Sequence, residues 1–300
     1  MGELPAVVNA PMAGVAGGAL AAAVTRAGGL GFIGGGYGDM TWIDEQLDIA
    51  PGTAVGVGLI TWALADRQGL VEHVVRRGVR WVWLSFGDPA PHVGVVHDAG
   101  AAAWCQVQTV ADARRVAAAG ADVIVAQGNE SGGHGRDNQP LAVLLPEVIA
   151  AVAPIPVLAA GGITTADDRH RAMGDGAAGV VVGTRLYASH EALDTDAAKA
   201  RLVAGSATCR TIVFDLVRGP AWPAGHTGRA LVNSTVERWH GREAALRADL
   251  DSARHDYRQA VADDNPDVRV VWAGTGVAHI HELLPAGDIV HAITTVPRDA

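Results

Sequence analysis

Aromatic residues are scarce in this chain, at 5% of 300 residues, and charged residues make up only 18%. Cysteine occurs twice, at Cys105 and Cys209. Neither belongs to a CxxC pair or to a His/Cys cluster with zinc spacing, so no metal site is expected and the chain reads as a reduced, cytoplasmic protein. No run of Lys or Arg interrupts a formal charge of -9. An acidic surface repels phosphate backbones, which excludes nucleic acid as a partner. Long apolar runs are missing too. The apolar stretches are broken by Gly, Arg or Asp, which leaves no membrane span. The start, Met1-Gly2-Glu3-Leu4-Pro5, has no basic n-region, so no secretory signal is expected. Low charge with high apolar content argues against disorder.

Ala, Val and Gly are abundant, and hydrophobic residues make up 49% of the chain. That mixture suits strands buried on both faces and helices packed through small residues. Short apolar runs fall at residues 7–10, 31–33, 54–57, 81–84, 102–106, 123–127, 157–160 and 179–182. They recur every ~20–35 residues, the length of a β-α unit. Helical stretches lie between them. Residues 19–27 stop at Gly28-Gly29, residues 111–119 follow Thr109, and residues 166–173 follow a candidate N-cap, Thr165. Eight such units predict a closed (β/α)8 TIM barrel over residues 1–189. An open doubly wound sheet is the alternative, but no GxGxxG follows the first strand. Residues 190–264 are more charged and read as a small helical lid beside the barrel mouth. Residues 265–300 read as a return segment packing on the barrel.

Function in such a barrel sits at the carboxyl ends of the strands. The sixth run ends in Gln127-Gly128-Asn129-Glu130-Ser131-Gly132-Gly133-His134. Glycines let the backbone approach a ligand, and a histidine there can exchange a proton near neutral pH. His134 is therefore a candidate catalytic base or hydrogen-bonding group, against the plainer reading of a glycine-rich surface loop. The seventh run ends in Ala160-Gly161-Gly162-Ile163-Thr164 and the eighth in Gly183-Thr184-Arg185. Small-residue turns opening helices at these two strands form a candidate phosphate site. The alternative is two tight βα turns. The first run exits through Asn9-Ala10-Pro11-Met12-Ala13-Gly14. This segment could carry a flat ring or be an ordinary exit, and alone it does not decide.

Taken in order, Ala10-Pro11-Met12-Ala13-Gly14-Val15, the glycine-rich segment from Ala27 to Gly36, the loop from Gln127 to His134, Ala160-Gly161-Gly162-Ile163 and Gly183-Thr184-Arg185 resemble the nitronate monooxygenase (2-nitropropane dioxygenase) family. The resemblance covers most of residues 5–190 and continues more weakly through residues 229–233 and 272–276. It implies FMN held non-covalently at the barrel mouth. The phosphate would lie on Gly161, Gly162, Gly183 and Thr184, and the ring along Ala10, Pro11 and Met12. Gln127 and Gly132 would contact the flavin, and His134 would act as base or orient the substrate. The implied reaction is oxidation of a small alkyl nitronate by O2 to a carbonyl compound and nitrite. An NAD(P)H-dependent reductase of an enoyl-thioester or quinone-like substrate is the alternative within this barrel group, and a non-catalytic flavin or phosphate binder is a third. The chain departs from the family pattern at Gly58, where Asn is frequent, at Val181, where Gln is frequent, and at Ser131, where Ala is usual.

Other signals carry less. Cys209 lies in a Gly-Ser-Ala-Thr-Cys segment but reads as a small apolar residue. His279 and His281 have no evident third metal ligand. His226 and His240 read as structural, with a lid position open to either. Trp62 could line the mouth, and Trp83 reads as core.

Overall fold

The computed structural model describes residues 4–137 and 139–295. Residues 1–3 and 296–300, at the ends of the expected barrel and return segment, and residue 138 lie outside the described residues. The strands are β1 (Val7–Asn9), β2 (Phe32–Gly36), β3 (Gly56–Ile60), β4 (Trp81–Ser85), β5 (Ala102–Val107), β6 (Val123–Gln127), β7 (Gly133–Gly135), β8 (Val157–Ala160), β9 (Gly179–Val182), β10 (Thr208–Thr211) and β11 (Thr227–Leu231). The eight expected strands are β1–β6, β8 and β9. They form one parallel sheet in the order β1-β9-β8-β6-β5-β4-β3-β2.

The seam between β1 and β2 is joined by a parallel bridge from Val8 to Leu30. Asn9 extends it with its side chain. Its Oδ1 accepts the Phe32 N–H at 2.7 Å and its Nδ2 donates to the Phe32 carbonyl at 2.8 Å. The side-chain amide thus replaces a missing strand neighbour, which matters because Asn9 is fully buried and unpaired backbone groups there would be costly. The result is a TIM barrel.

Its interior is filled by Val8, Phe32, Trp83, Trp104, Val125 and Leu158. The Phe32 and Trp83 rings meet edge to face at 5.2 Å. Trp83 is core, as its strand position suggests. Truncating such a buried indole costs about 3–5 kcal/mol. The packed interior leaves only the mouth for chemistry.

The helix punctuation holds in detail. Helix Gly18–Arg26 ends before Gly28, whose φ is +88°. Helix Val110–Ala118 starts with the Asp112 N–H donating to Thr109 Oγ1. Helix Ala166–Gly174 carries a capping box between Thr165 and Asp168. Burial alone would raise the Asp168 carboxyl, but hydrogen bonds from Thr164 and Thr165 hold it below its usual range. Helix Ala286–Thr294 packs against the helices Gly18–Arg26 and Ala166–Gly174. No helix among the described residues is long and apolar enough to cross a membrane.

Between residues 190 and 264 the structure differs from the helical reading. Five helices are present, Asp196–Ala204, Val213–Arg218, Ser234–Trp239, Glu243–Ala248 and Leu250–Ala262, but so are β10 and β11. These two pair with β7 in an antiparallel sheet of order β10-β11-β7. The strands are only four, five and three residues long, and β7 lies in a stretch that reads as a glycine loop. A ribbon that short takes its stability from its docking and not from its own pattern. The ends of β2 and β3 also run past the expected limits, to Gly36 and Ile60, through glycines that weaken a strand signal.

Candidate active site

His134 sits in the middle of β7, its backbone paired with Gly228 of β11. The small sheet therefore fixes the backbone of the candidate base. Its side chain is buried, and Nε2 lies 2.8 Å from Asp215 Oδ1, which is also buried. Asp215 comes from the helix Val213–Arg218, where Val213, Phe214 and Val217 anchor the apolar face. One face of the imidazole is covered by Trp222, with ring centres 3.6 Å apart and planes 5° from parallel. Burial pulls the His134 pKa below its ordinary value. Asp215 opposes that shift, while Arg218 and Arg210 add to it. Burial thus favours the uncharged form of the imidazole.

With Nε2–H donated to Asp215 Oδ1, the lone pair of a neutral imidazole lies on Nδ1. Asp215 Oδ2 has no hydrogen-bond partner although it is buried. The pair is thus a candidate base with a carboxyl group hydrogen-bonded at its back.

His134 lines a cavity of about 210 Å³ at the carboxyl ends of the barrel strands. The structure brings every candidate site residue to its wall. Ala10, Pro11 and Met12 form one side, and Gln127 and Gly132 another. Gly161, Gly162, Gly183 and Thr184 complete it. Gly161 and Gly162 have φ of +119° and +71°, a turn that side-chain-bearing residues rarely adopt. A Cβ at Gly183 would come to 3.6 Å from the Ala10 Cβ and 3.8 Å from the Met12 Sδ. No side chain therefore divides the end of β9 from the exit of β1. Thr184 Oγ1 accepts the Gly274 N–H at 2.9 Å, leaving its hydroxyl hydrogen to donate.

Gln127 is held by two other glutamines. Its Oε1 accepts from Gln106 Nε2 at 2.9 Å and from Gln108 Nε2 at 2.8 Å, while its Nε2 donates to the His134 carbonyl at 3.3 Å. The amide orientation is fixed before any ligand arrives.

The departures have local accounts. A Cβ at Gly58 would lie 2.3 Å from Pro11 Cβ, so the pyrrolidine fills the space a side chain at 58 would need. Ser131 donates to the Gly128 carbonyl at 2.9 Å and tightens its loop. Val181 lines the cavity with an apolar surface.

Sequence reasoning missed Asp215, Trp222, Trp272, Arg218 and Tyr37. An isolated carboxylate in the apolar run Val213-Phe214-Asp215-Leu216-Val217 was the available signal for the first. Trp222 meets Phe86 at 5.0 Å, Trp62 at 5.6 Å and Tyr37 at 6.4 Å, so scarce aromatics gather at the mouth. Phe86 adopts φ +62°, a strained value for an aromatic residue. Trp62 belongs to this cluster. His226 stands 5.8 Å from Phe86 at its rim, whereas His240 faces Glu243 at 3.8 Å, away from it. Cys209 is half-buried in β10, and burial pushes its thiol up, which suits a packing residue. Among the described residues, no three His, Cys, Asp or Glu side chains gather as metal ligands, His279 and His281 included.

Comparison with known proteins agrees with this geometry. The family model described as nitronate monooxygenase matches residues 50–295. The nitronate monooxygenase npaC of Metarhizium robertsii is 33% identical over 95% of this chain and 89% of its own. Among solved structures, FabK from Thermotoga maritima superposes with a TM-score of 0.83 at 28% identity, covering 97% of this chain and 91% of that one. A nitroalkane oxidase from Streptomyces ansochromogenes gives 0.81 at 28% identity, covering 96% and 94%. The chain belongs to the nitronate monooxygenase family of flavin-dependent oxidoreductases.

Proposed function

We propose that the chain binds FMN in this cavity and oxidises small alkyl nitronates with O2, giving a carbonyl compound and nitrite, with His134 as base or orienting group. The observation that carries the reading is His134 on the wall of a glycine-floored cavity, backed from outside that wall by the buried Asp215. Consecutive glycine N–H groups at 161 and 162, with Gly183 and Thr184 opposite, suit a phosphate. No Asp or Glu among the described residues lines the cavity to repel it. The flat wall of Ala10, Pro11 and Met12 suits the ring system, and the oriented Gln127 amide and Gly132 suit its polar edge. Bound FMN supplies the electron acceptor that is reoxidised by O2.

The chain's own residues supply the proton chemistry. With a neutral nitroalkane, the Nδ1 lone pair of His134 takes a proton from the α-carbon, and the electron pair left behind moves onto the nitro oxygens. Asp215 stabilises the imidazolium so formed, and the new Nδ1–H holds a nitronate oxygen. With a nitronate supplied as such, only the holding role is needed. Trp222 and the neighbouring rings keep water from the reacting carbon. The overall conversion consumes one O2 for two nitronates, each yielding one carbonyl and one nitrite.

The test is His134→Asn in protein loaded with FMN. Retained flavin, nitroethane turnover reduced by about 10²–10⁴-fold and a smaller loss with ethylnitronate are expected. Unchanged nitroethane turnover sinks the base role. Rapid anaerobic bleaching of the flavin by NADH or NADPH, with no response to nitronate, would transfer the reading to the reductase alternative.

A further inference from the structure

The cavity wall carries one permanent charge among the described residues, the guanidinium of Arg218. In a chain of formal charge -9, a wall with one cation and no carboxylate is not what composition alone would place there. Arg218 ends the helix Val213–Arg218, which stops at Gly219 with φ +102°. Asp215 stands three residues earlier, a spacing that puts both side chains on one face. The two do not pair. Asp215 Oδ1 is taken by His134 at 2.8 Å, and Arg218 has no carboxylate within 4.0 Å among the described residues. Instead, its guanidinium carbon lies 5.6 Å from the Trp272 ring centre. It also stands close enough to Tyr37 to oppose the rise that burial imposes on that phenol. The Tyr37 hydroxyl in turn accepts from Trp222 Nε1 at 3.2 Å. The charge thus faces the reaction chamber, beside the rings that line its outer part and within electrostatic reach of His134.

We propose that Arg218 selects the charge state of the substrate, pairing with the planar two-oxygen anion of a nitronate while Tyr37, Phe86, Trp222 and Trp272 take its apolar body. The proposal rests on the nitronate reading above and goes beyond it, since it favours the anion over the neutral nitroalkane of the same skeleton. A nitronate group is planar, with its charge shared between two oxygens, and so has the shape of a carboxylate. A guanidinium fork meets that shape with two parallel N–H···O bonds. A neutral nitro group presents the same oxygens without the net charge and forfeits most of the attraction. Arg218 is exposed, so the guanidinium reaches the chamber from its outer edge, with the Trp272 ring 5.6 Å away on one side.

The test titrates FMN-loaded protein with benzoate and with benzamide, an anion and a neutral molecule of the same shape. The readout is quenching of tryptophan fluorescence, because Trp222 and Trp272 line the chamber. Benzoate should bind the natural protein about tenfold more tightly than benzamide. Arg218→Met should bring the ratio to about one, and Arg218→Lys, which keeps the charge but not the fork, should fall between. The KM for ethylnitronate should rise in Arg218→Met, while that for nitroethane stays. Nitronate turnover with an unchanged benzoate-to-benzamide ratio in Arg218→Met overturns the charge selection and leaves the nitronate reading standing. A ratio that collapses in Arg218→Met, in a protein that does not turn over nitronate, supports the charge selection and overturns the nitronate reading.

Discussion

His134 and Asp215 are separated by 81 residues of chain and by 2.8 Å of space. One is delivered by a three-residue strand, the other by a six-residue helix, and both elements belong to the layer that covers the barrel mouth. The barrel supplies the cavity floor, and this covering layer brings the His134–Asp215 pair to it.

Asp215→Asn keeps the shape and removes the charge. Turnover of nitroethane should fall about 10–100-fold, with flavin content unchanged. Asp215 raises the His134 pKa against burial, so its loss should lower that pKa further. The acid limb of the pH–rate profile should therefore move to lower pH. A profile that keeps its position while the rate falls would assign Asp215 a packing role only.

The same depressed pKa has a consequence for stability. An unfolded His134 takes its proton near the ordinary imidazole value of about 6.5, before the folded one does. Above that value the group contributes nothing to the pH dependence. As pH falls through it, the unfolded chain is favoured, and the loss levels off once the folded imidazole is protonated. Urea midpoints measured on either side of the ordinary value should show a smaller drop in His134→Gln than in the natural protein.

Trp222 covers one face of His134 from a half-buried position. Trp222→Ala should cost about 1–2 kcal/mol, less than a fully buried indole. It should also admit water, relieve the burial of His134 and move the acid limb upward. Denaturant melts and the pH–rate profile check the two effects separately.

Gly58 and Pro11 share one space, with a Cβ at 58 falling 2.3 Å from Pro11 Cβ. Gly58→Asn, although frequent in the family, should therefore destabilise this chain by about 1–3 kcal/mol and weaken flavin retention. Pro11→Gly, which removes that Cβ, should partly restore both in the double variant. Additive losses in that double-mutant cycle would contradict the shared-space account.

The barrel was legible because its strands are buried on both faces and read as apolar runs, and because Thr109, Thr165 and Gly28 mark helix ends by local chemistry. The cavity-lining glycines were legible because strand ends locate the mouth of such a barrel. The covering layer was not. β7, β10 and β11 are too short to show a period, and they are stabilised by one another across long stretches of chain. Asp215 looks like one polar residue in an apolar helix until β7 brings His134 to it. Trp222, between Pro220 and Pro223, has no local signal pointing toward an imidazole. Pro11 and Gly58 explain each other only once β1 and β3 are side by side.

The most direct measurement is the visible spectrum of the purified protein with FMN, before and after anaerobic addition of ethylnitronate. The account predicts flavin bands that change promptly on addition and recover when air is admitted, with nitrite released. A protein that takes up no FMN, or whose flavin bands ignore the nitronate, would contradict it.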